Sequence, residues 1–527
     1  MKCLLISLQS NAYVTGLKYI SANLLANGHD AKILLLPGYL EKKLAPAIED
    51  FIQGYNPDLI GIGLMSIEFY PAKNLTRLLH EKFQIPVIWG GVHVIISPDE
   101  CLKYADFVCA GEGEKAVVSL LNHLKDKGKE IPPEIPNILT KKSRGAKETL
   151  KAPPETNLDS LPFQEYLPDY FYGYHNNKIY NFAKNPGLFR RYALYGGTCH
   201  MMITTRGCPF NCGYCANAYL STVYGKKVRG RSVENCMEDL MAVKKDPYVL
   251  YINFEDDCFF THDREWISRF AEAYKKHINL PFIVRAIPTM LDREKLRALR
   301  KAGLSMVVMG IQSGSDRVNF EVFQRRISFS SVKMAAGIIS ESGAAPFYEM
   351  IVDNPYETED DKIETINAIA KLKRPYIISL AHLTFFPGAP LTERAIKENI
   401  ADPDAYLFRY LVKIDNTYLN KLLGITPYIP RALMRFLNKP KASRNHIHGL
   451  LVNFFDFITK RFVEPVVFLF IMTRALNYNP VWLIRTVLGN WRSAFSKLIS
   501  NYLGKGDMEY DKKLASAKKD MPELFEN

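Results

Sequence analysis

Arg206-Gly-Cys-Pro-Phe-Asn-Cys-Gly-Tyr-Cys215 is the stretch that organises the rest of the chain. It sets Cys208, Cys212 and Cys215 in a C-x3-C-x2-C array. Thiolate sulfur is the preferred ligand of iron–sulfur clusters, and three thiolates this close can hold three irons of a [4Fe–4S] cubane. The fourth iron is then open to bind and activate a small molecule, unlike the fully ligated cluster of an electron carrier. A structural zinc site is one competing reading. Zinc takes paired Cys or His units at set spacing, and the nearest extra ligands, Cys199, His200 and Cys236, do not have that spacing. Three buried free thiols are the other.

Downstream of the array, strands alternate with helices. Strands are expected at 249–254, 282–287, 306–311, 346–352 and 376–384, with one more at 201–205 before the cysteines. Six such units make a partial (β/α)6 barrel, with function at the strand C-termini. The ends carry Asp256 and Asp257 after the second strand, Arg285 within the third, and Gln312-Ser313-Gly314 after the fourth. Asp256 and Asp257 read either as ligand-binding carboxylates or as strand-end caps.

Upstream, residues 1–140 also alternate. Strands are expected at 3–8, 31–36, 59–64, 86–89 and 107–110, with helices at 16–27 and 71–81. This is an open parallel sheet of the Rossmann-like kind, with ligand loops at the strand C-termini. Those loops hold Ser10, then Met65 and Ser66, then Gly90, Gly91 and His93, and last Gly111, Glu112 and Gly113. Glycines let backbone approach a ligand closely, and helix N-termini favour a phosphate. A lone histidine such as His93 is more often a loop hydrogen-bonder than a ligand.

With Tyr214 directly before the last cysteine, the array resembles that of the radical S-adenosylmethionine (SAM) superfamily. The landmarks "D-D" at 256–257, "G-I-Q-S-G-S" at 310–315 and "P-G" at 387–388 follow in that family's order. The resemblance implies SAM contacts from Tyr214, Asp256, Asp257, Arg285, Gln312, Ser313 and Gly314. Many relatives have Glu where Gln312 stands. The "P-D-x-I-G" at 57–61, "G-G-x-H" at 90–93 and "G-E-G-E" at 111–114 resemble the cobalamin (B12)-binding domain in front of many radical SAM enzymes. That resemblance implies cobalamin contacts from Ser10, Met65, Ser66, Gly90, Gly91, His93, Gly111, Glu112 and Gly113. The loop at 9–16 lacks the D-x-H-x-x-G of domains that ligate cobalt through histidine, so a bound cobalamin would have no histidine ligand from it.

The implied activity is reductive cleavage of SAM to a 5′-deoxyadenosyl radical by a [4Fe–4S] cluster, with cobalamin serving methylation at an unactivated carbon. The substrate would be a small molecule, apolar, lipid-like or isoprenoid, and the electron donor a flavodoxin or ferredoxin. Two alternatives stay open: a cobalamin-free radical SAM enzyme that couples, cyclises or rearranges its substrate, and a non-catalytic cobalamin or Fe–S sensor. An open iron beside a SAM pocket is of no use to a sensor.

Composition bounds the rest. At 527 residues, 47% hydrophobic and 23% charged, the chain is a multidomain globular protein. The expected division is 1–140, a connector at 141–198, the barrel at 199–400, and a helical, basic, apolar region at 401–527. Nine clustered cysteines and no signal peptide point to a reducing cytoplasm. The net charge of +13 is concentrated: residues 405–505 hold fifteen Lys and Arg against three Asp and Glu. There, apolar runs at 450–457, 462–472 and 481–491 are interleaved with basic residues. Such helices suit either an interfacial lid, peripheral at the inner face of the membrane, or an ordinary cap on the barrel. Long aliphatic runs fit nucleic acid poorly. The aromatics of 164–195 are expected to wrap the barrel, and 505–527 to fray.

Overall fold

A computed structural model describes residues 1–127, 134–143, 151–404, 407, 413–476 and 505–525. The apolar run at 481–491 lies outside the described residues.

The first sheet is built from β1 (Lys2–Ser7), β2 (Asp30–Leu35), β3 (Leu59–Gly63), β4 (Val87–Gly90), β5 (Phe107–Cys109), β6 (Ile138–Thr140), β7 (Phe171–His175) and β8 (Lys178–Asn181). Their order is β6-β5-β4-β3-β1-β2-β7-β8, parallel except for the two edge strands β6 and β8. Helices cover both faces, so the central strands are apolar at every position rather than at alternate ones. In β1, Leu4 and Ile6 join one apolar layer, while Cys3 and Leu5 join the other. The chain passes from β1 to β2 on one side and then to β3 on the other. That reversal puts the ligand crevice of an open sheet between the C-terminal ends of β1 and β3.

Residues 164–195 do not wrap the barrel as expected: Tyr166 and Tyr195 touch it, but most of the segment lies elsewhere. The segment adds β7 and β8 to the edge of the first sheet, beside β2. The cause is the apolar face of that hairpin. Phe171, Phe182 and Phe189 are buried with Leu24, Ile33 and Leu35, and the Phe171 and Phe182 rings meet edge to face at 5.0 Å.

The second sheet is the barrel wall. It runs β9 (Cys199–Met202), β12 (Tyr251–Phe254), β13 (Phe282–Ala286), β14 (Leu304–Gln312), β15 (Ala345–Val352) and β16 (Ile377–His382), all parallel and adjacent in chain order. A short antiparallel ribbon, β10 (Thr205–Arg206) with β11 (Arg229–Gly230), stands between β9 and β12 in the sequence. The covering helices begin and end where side chains dictate. Asp292 caps the helix Arg293–Ala302 by accepting from the Glu294 and Lys295 amides, and Gly303, at φ 121°, ends it.

Alternation sorts the barrel side chains. Val307, Met309, Tyr348 and Met350 face the helices. Ile283, Met306, Val308, Phe347 and Ile377 face the other way, and Val467, Ile471, Met472 and Ala475 of the helix Glu464–Ala475 pack against them. That helix therefore closes the lower end of the lumen, and Arg300 ties it down by donating to the carbonyls of Leu304 and Ala475, both at 2.7 Å. Residues 505–525 do not fray. Leu514, Ala517, Met521 and Leu524 are buried in the first sheet's helical layer, and Phe525 lies 4.6 Å from the Tyr70 ring.

Because the β7–β8 hairpin is held by Phe182, Phe182→Ala should cost about 3–5 kcal/mol. Hydrogen exchange should show lost protection at 171–181 while the barrel strands stay protected; equal loss in both would place the aromatics' role elsewhere.

Candidate active site

The β10–β11 ribbon closes the base of the cysteine loop, so Cys208, Cys212 and Cys215 hang from a two-stranded staple. Gly207, at φ 99°, makes the turn into the loop. The middle of the loop is pinned to the barrel: the Gly213 amide donates to the Phe323 carbonyl at 2.7 Å, and its own carbonyl accepts from the Leu391 amide at 2.8 Å. All three cysteines are half-buried. Burial pushes the thiols of Cys208 and Cys215 up, to about 12 and about 11, and each is raised further by its neighbouring thiols. The Cys212 thiol is raised by burial too, with the Arg325 guanidinium opposing it. Among the described residues no three His, Cys, Asp or Glu side chains converge as a single metal ion would require. A cubane takes one thiolate per iron and needs no such convergence.

Beneath the loop, Asp256 is a structural hub. Its Oδ1 accepts from the amides of Thr204 and Thr205, at 3.0 and 2.5 Å, and from both hydroxyls, at 2.8 and 2.6 Å. It is buried, and burial lifts its carboxyl to about 6 against those hydrogen bonds. Its neighbour Asp257 is exposed and lines the space beside Cys208.

That space is a cavity of about 420 Å³ between the two sheets. Tyr19, Val92, Ile95 and Glu112 line it from the first domain; Arg206, Cys208, Leu220, Tyr224, Glu255 and Asp257 line it from the barrel; Leu158 and Leu161 of the connector line it as well. An ion-pair knot joins its two sides. Arg206 reaches Glu112 at 3.1 Å and Glu114 at 2.6 Å, and Arg229 reaches Glu112 at 2.9 Å. Burial alone would raise Glu112, but Arg229 and Arg206 hold it below the usual carboxylate range.

The expected SAM residues divide. Asp257 faces the cavity. Arg285 lies between Glu255 at 3.0 Å and Glu349 at 3.4 Å. Gln312 ends β14 at φ 69°, where the register with β15 shifts. Tyr214 packs edge-on against Phe323 at 5.0 Å. Three others serve the fold. Asp256 is saturated on one oxygen as described. Ser313 is buried, bonding Glu357 at 3.4 Å and Thr365 at 3.1 Å. Gly314 is glycine because a Cβ would stand 2.7 Å from the Thr365 Cα.

The expected cobalamin residues divide as well. Ser10 is exposed at the end of β1, with Met65 and Ser66 half-buried at the end of β3, so they flank the crevice. Glu112 lines the cavity but is engaged with arginines. His93 turns inward: it is fully buried, its Nδ1 lies 3.1 Å from the Ser66 Oγ, and burial drops it to about 4. Gly90 has room, whereas Gly91, at φ 106°, is forced by the Leu64 carbonyl, 2.5 Å from where its Cβ would be. Gly111 and Gly113 pack against the Asn137 and Ile20 side chains. The residues that sequence reasoning missed are Tyr19, Tyr224, Arg206 and Arg229; the last two flank the cysteine loop, which was the available signal.

A family model described as the B12 binding domain matches residues 1–121, and one described as the radical SAM superfamily matches 202–369. The chain thus joins a B12-binding domain to a radical SAM domain. An uncharacterized methyltransferase of Pyrococcus horikoshii is 26% identical over 73% of this chain and 79% of its own length. The hopanoid C-3 methylase of Methylococcus capsulatus is 24% identical over 71% of this chain and 67% of its own. The solved cobalamin-dependent SAM radical enzyme OxsB, with aqua-cobalamin bound, aligns with a TM-score of 0.63 at 15% identity, over 99% of this chain and 84% of that one.

The cofactors of such a B12-domain radical SAM enzyme are a [4Fe–4S] cluster, SAM and cobalamin. The residues present fit them. Three neighbouring thiols that burial holds protonated would ionise on iron binding. The cavity beside them has aromatic and aliphatic walls, with Val92 and Ile95 after β4 and Glu112 after β5 on the side of the first sheet. With His93 turned into the core and no histidine in the loop at 9–16, the fit is to a cobalamin held without an imidazole from these loops.

Two outcomes are expected. Arg206→Ala strands Glu114 and half-strands Glu112, and should cost roughly 3 kcal/mol, with new protease sensitivity between the domains; Arg206→Lys should recover part of it. A variant as stable and as resistant as the wild type would remove the knot from the argument. Separately, the buried Asp256 carboxyl holds a proton at pH values where the unfolded chain has released it. Its contribution to stability is therefore lost as pH rises from about 4 through about 6. Asp256→Asn escapes that loss. Denaturant unfolding of the metal-free protein should favour the variant by roughly 2 kcal/mol more at pH 7 than at pH 4; a difference that stays flat would refute it.

Proposed function

We propose that the chain methylates an unactivated carbon of an apolar, lipid-like or isoprenoid small molecule. The observation that carries this is a cavity lined by Tyr19, Val92, Ile95 and Glu112 of the B12-binding domain on one side and by Cys208 on the other. A methyl donor and a radical source held on its two sides would face one space. The names of the Pyrococcus and Methylococcus relatives, a methyltransferase and a methylase, support the reaction class. The apolar C-terminal cover supports the substrate class.

When bound, the cluster supplies one electron to SAM and cobalamin carries the methyl group; the hard chemistry is theirs. The chain's own residues hold and exclude. Cys208, Cys212 and Cys215 would hold the cluster, and the fourth iron would take SAM. Glu255 and Asp257 offer carboxylate acceptors in the cavity to an ammonium or a ribose hydroxyl. Tyr19, Leu158, Leu161 and Tyr224 exclude water. Arg206, Glu112 and Arg229 hold the two halves of the site at fixed separation. A flavodoxin or ferredoxin in the cytoplasm would be the electron source.

Anaerobic reconstitution tests the reading. The wild type should load about four irons and about one cobalamin per chain, release 5′-deoxyadenosine from SAM under reductant, and move a deuterated methyl from SAM into the lipid fraction of a cell extract. Replacing all three cysteines with Ala should abolish iron loading and SAM cleavage but leave cobalamin binding. SAM cleavage without label transfer, at cobalamin well below one per chain, would instead favour cobalamin-free coupling or cyclisation.

A further inference from the structure

The outward face of the C-terminal helices breaks the rule that governs the rest of the surface. Of eighteen large hydrophobic side chains exposed among the described residues, ten lie between Phe436 and Phe470. On the helix His446–Ile458 they are Ile447, Leu450, Phe454 and Phe457. Spacings of three, four and three put them in one stripe. The opposite side is core, where Val452 is buried with Leu422 and Leu423. The stripe runs on through Phe462 to Phe470, both more than half exposed.

The helix Glu464–Ala475 sharpens the point. One side plugs the barrel lumen, and the other presents Phe468, Leu469 and Phe470 to the outside. A helix that is apolar all round is covered all round in its working state, and soluble monomers rarely leave an apolar patch of this extent in water. At twelve residues it cannot cross a bilayer, and among the described residues no helix is long and apolar enough to do so.

Charge selects the cover. Residues 416–476 contain nine Lys and Arg against Asp456 and Glu464 only. Asp456 is paired with Lys460 and Glu464 is half-buried, while Arg435, Lys439, Lys441 and Arg461 are exposed. A second copy docked through the same face would set these cations against one another, since a two-fold interface meets itself. A nucleic acid would satisfy the cations and leave the phenylalanines wet. An anionic lipid surface satisfies both at once.

We infer that the 436–470 face docks on an anionic bilayer, with its phenylalanine stripe in the acyl boundary and its cationic rim on the headgroup phosphates. This reading does not rest on the proposed reaction, and vesicle binding is measured without turnover. In flotation, the reconstituted full-length protein should rise with vesicles of phosphatidylcholine and phosphatidylglycerol and stay down with phosphatidylcholine alone. High salt should weaken binding. Phe454→Ser with Phe457→Ser and Phe470→Ser should lower the bound fraction about tenfold at an unchanged unfolding temperature, and Lys441→Glu with Arg461→Glu should do the same. A wild type that ignores both vesicles, or binds them equally, overturns the inference. So does a vesicle-independent dimer that the triple serine variant abolishes, which assigns the face to a second copy. An unfolding temperature that falls in the triple serine variant, with no vesicle binding by the wild type, assigns it to residues 477–504 and likewise overturns it.

Discussion

The site depends on the contact between Glu112 and Glu114 of one domain and Arg206 and Arg229 of the other. Arg206 and Arg229 face each other as one rung of the ribbon that closes the cysteine loop. Glu112 belongs to the loop that follows β5, and Glu114 to the first turn of the helix Gly113–Lys127 after it. The same side chains therefore set the position of the thiols and the position of the crevice. Partly buried charges of this kind add little to stability against a well-packed apolar substitute, but they tolerate little displacement. Registry is what a two-cofactor site needs, because the separation of its halves must be reproduced in every molecule. Glu155 reinforces it: its amide donates to Glu112 at 2.8 Å and its carbonyl accepts from Arg229 at 2.6 Å. The connector is thus built into the joint.

Much of the fold was legible because it rests on local pattern. Strands β1 to β5 and β12 to β16 fall within about two residues of where apolar runs and turn residues put them, since burial on both faces leaves no other reading for runs such as β1 and β3, whereas β9 ends three residues early and the edge strands β6, β7 and β8 were not anticipated. The cysteine array is equally local. What escaped was long-range. The aromatics of 164–195 announce burial, but nothing in their spacing says which surface they bury against; they chose the exposed edge of β2. The charged segment at 505–520 hides its few apolar residues among lysines, and only the surface under Tyr70 gives them a reason to order.

The site shows the same division. Asp257, at a strand end, faces the cavity as its position suggested. Asp256, one residue earlier, points the other way and organises Thr204 and Thr205. Period-two alternation separates the two, and a doublet of aspartates does not reveal its phase. The glycines at 91 and 314 looked like ligand approaches and are packing requirements, set by Leu64 and Thr365. His93 looked like a loop histidine and proved to be core. Arg206 and Arg229 were marked only by flanking the cysteine loop; that they pair with Glu112 and Glu114 could be found only by knowing that the loop after β5 lies across the ribbon.

The helix Glu464–Ala475 is a partition of single thickness. Val467 and Ile471 belong to the lumen, Phe468 and Phe470 to the exterior, and one helix diameter, about 10 Å, separates the two environments. The opposite end of the barrel is roofed by an entire domain. Among the described residues, access to the lumen is therefore asymmetric by construction: polar traffic meets a wall of ion pairs at the top, while an apolar molecule at the floor has one helix between it and the interior.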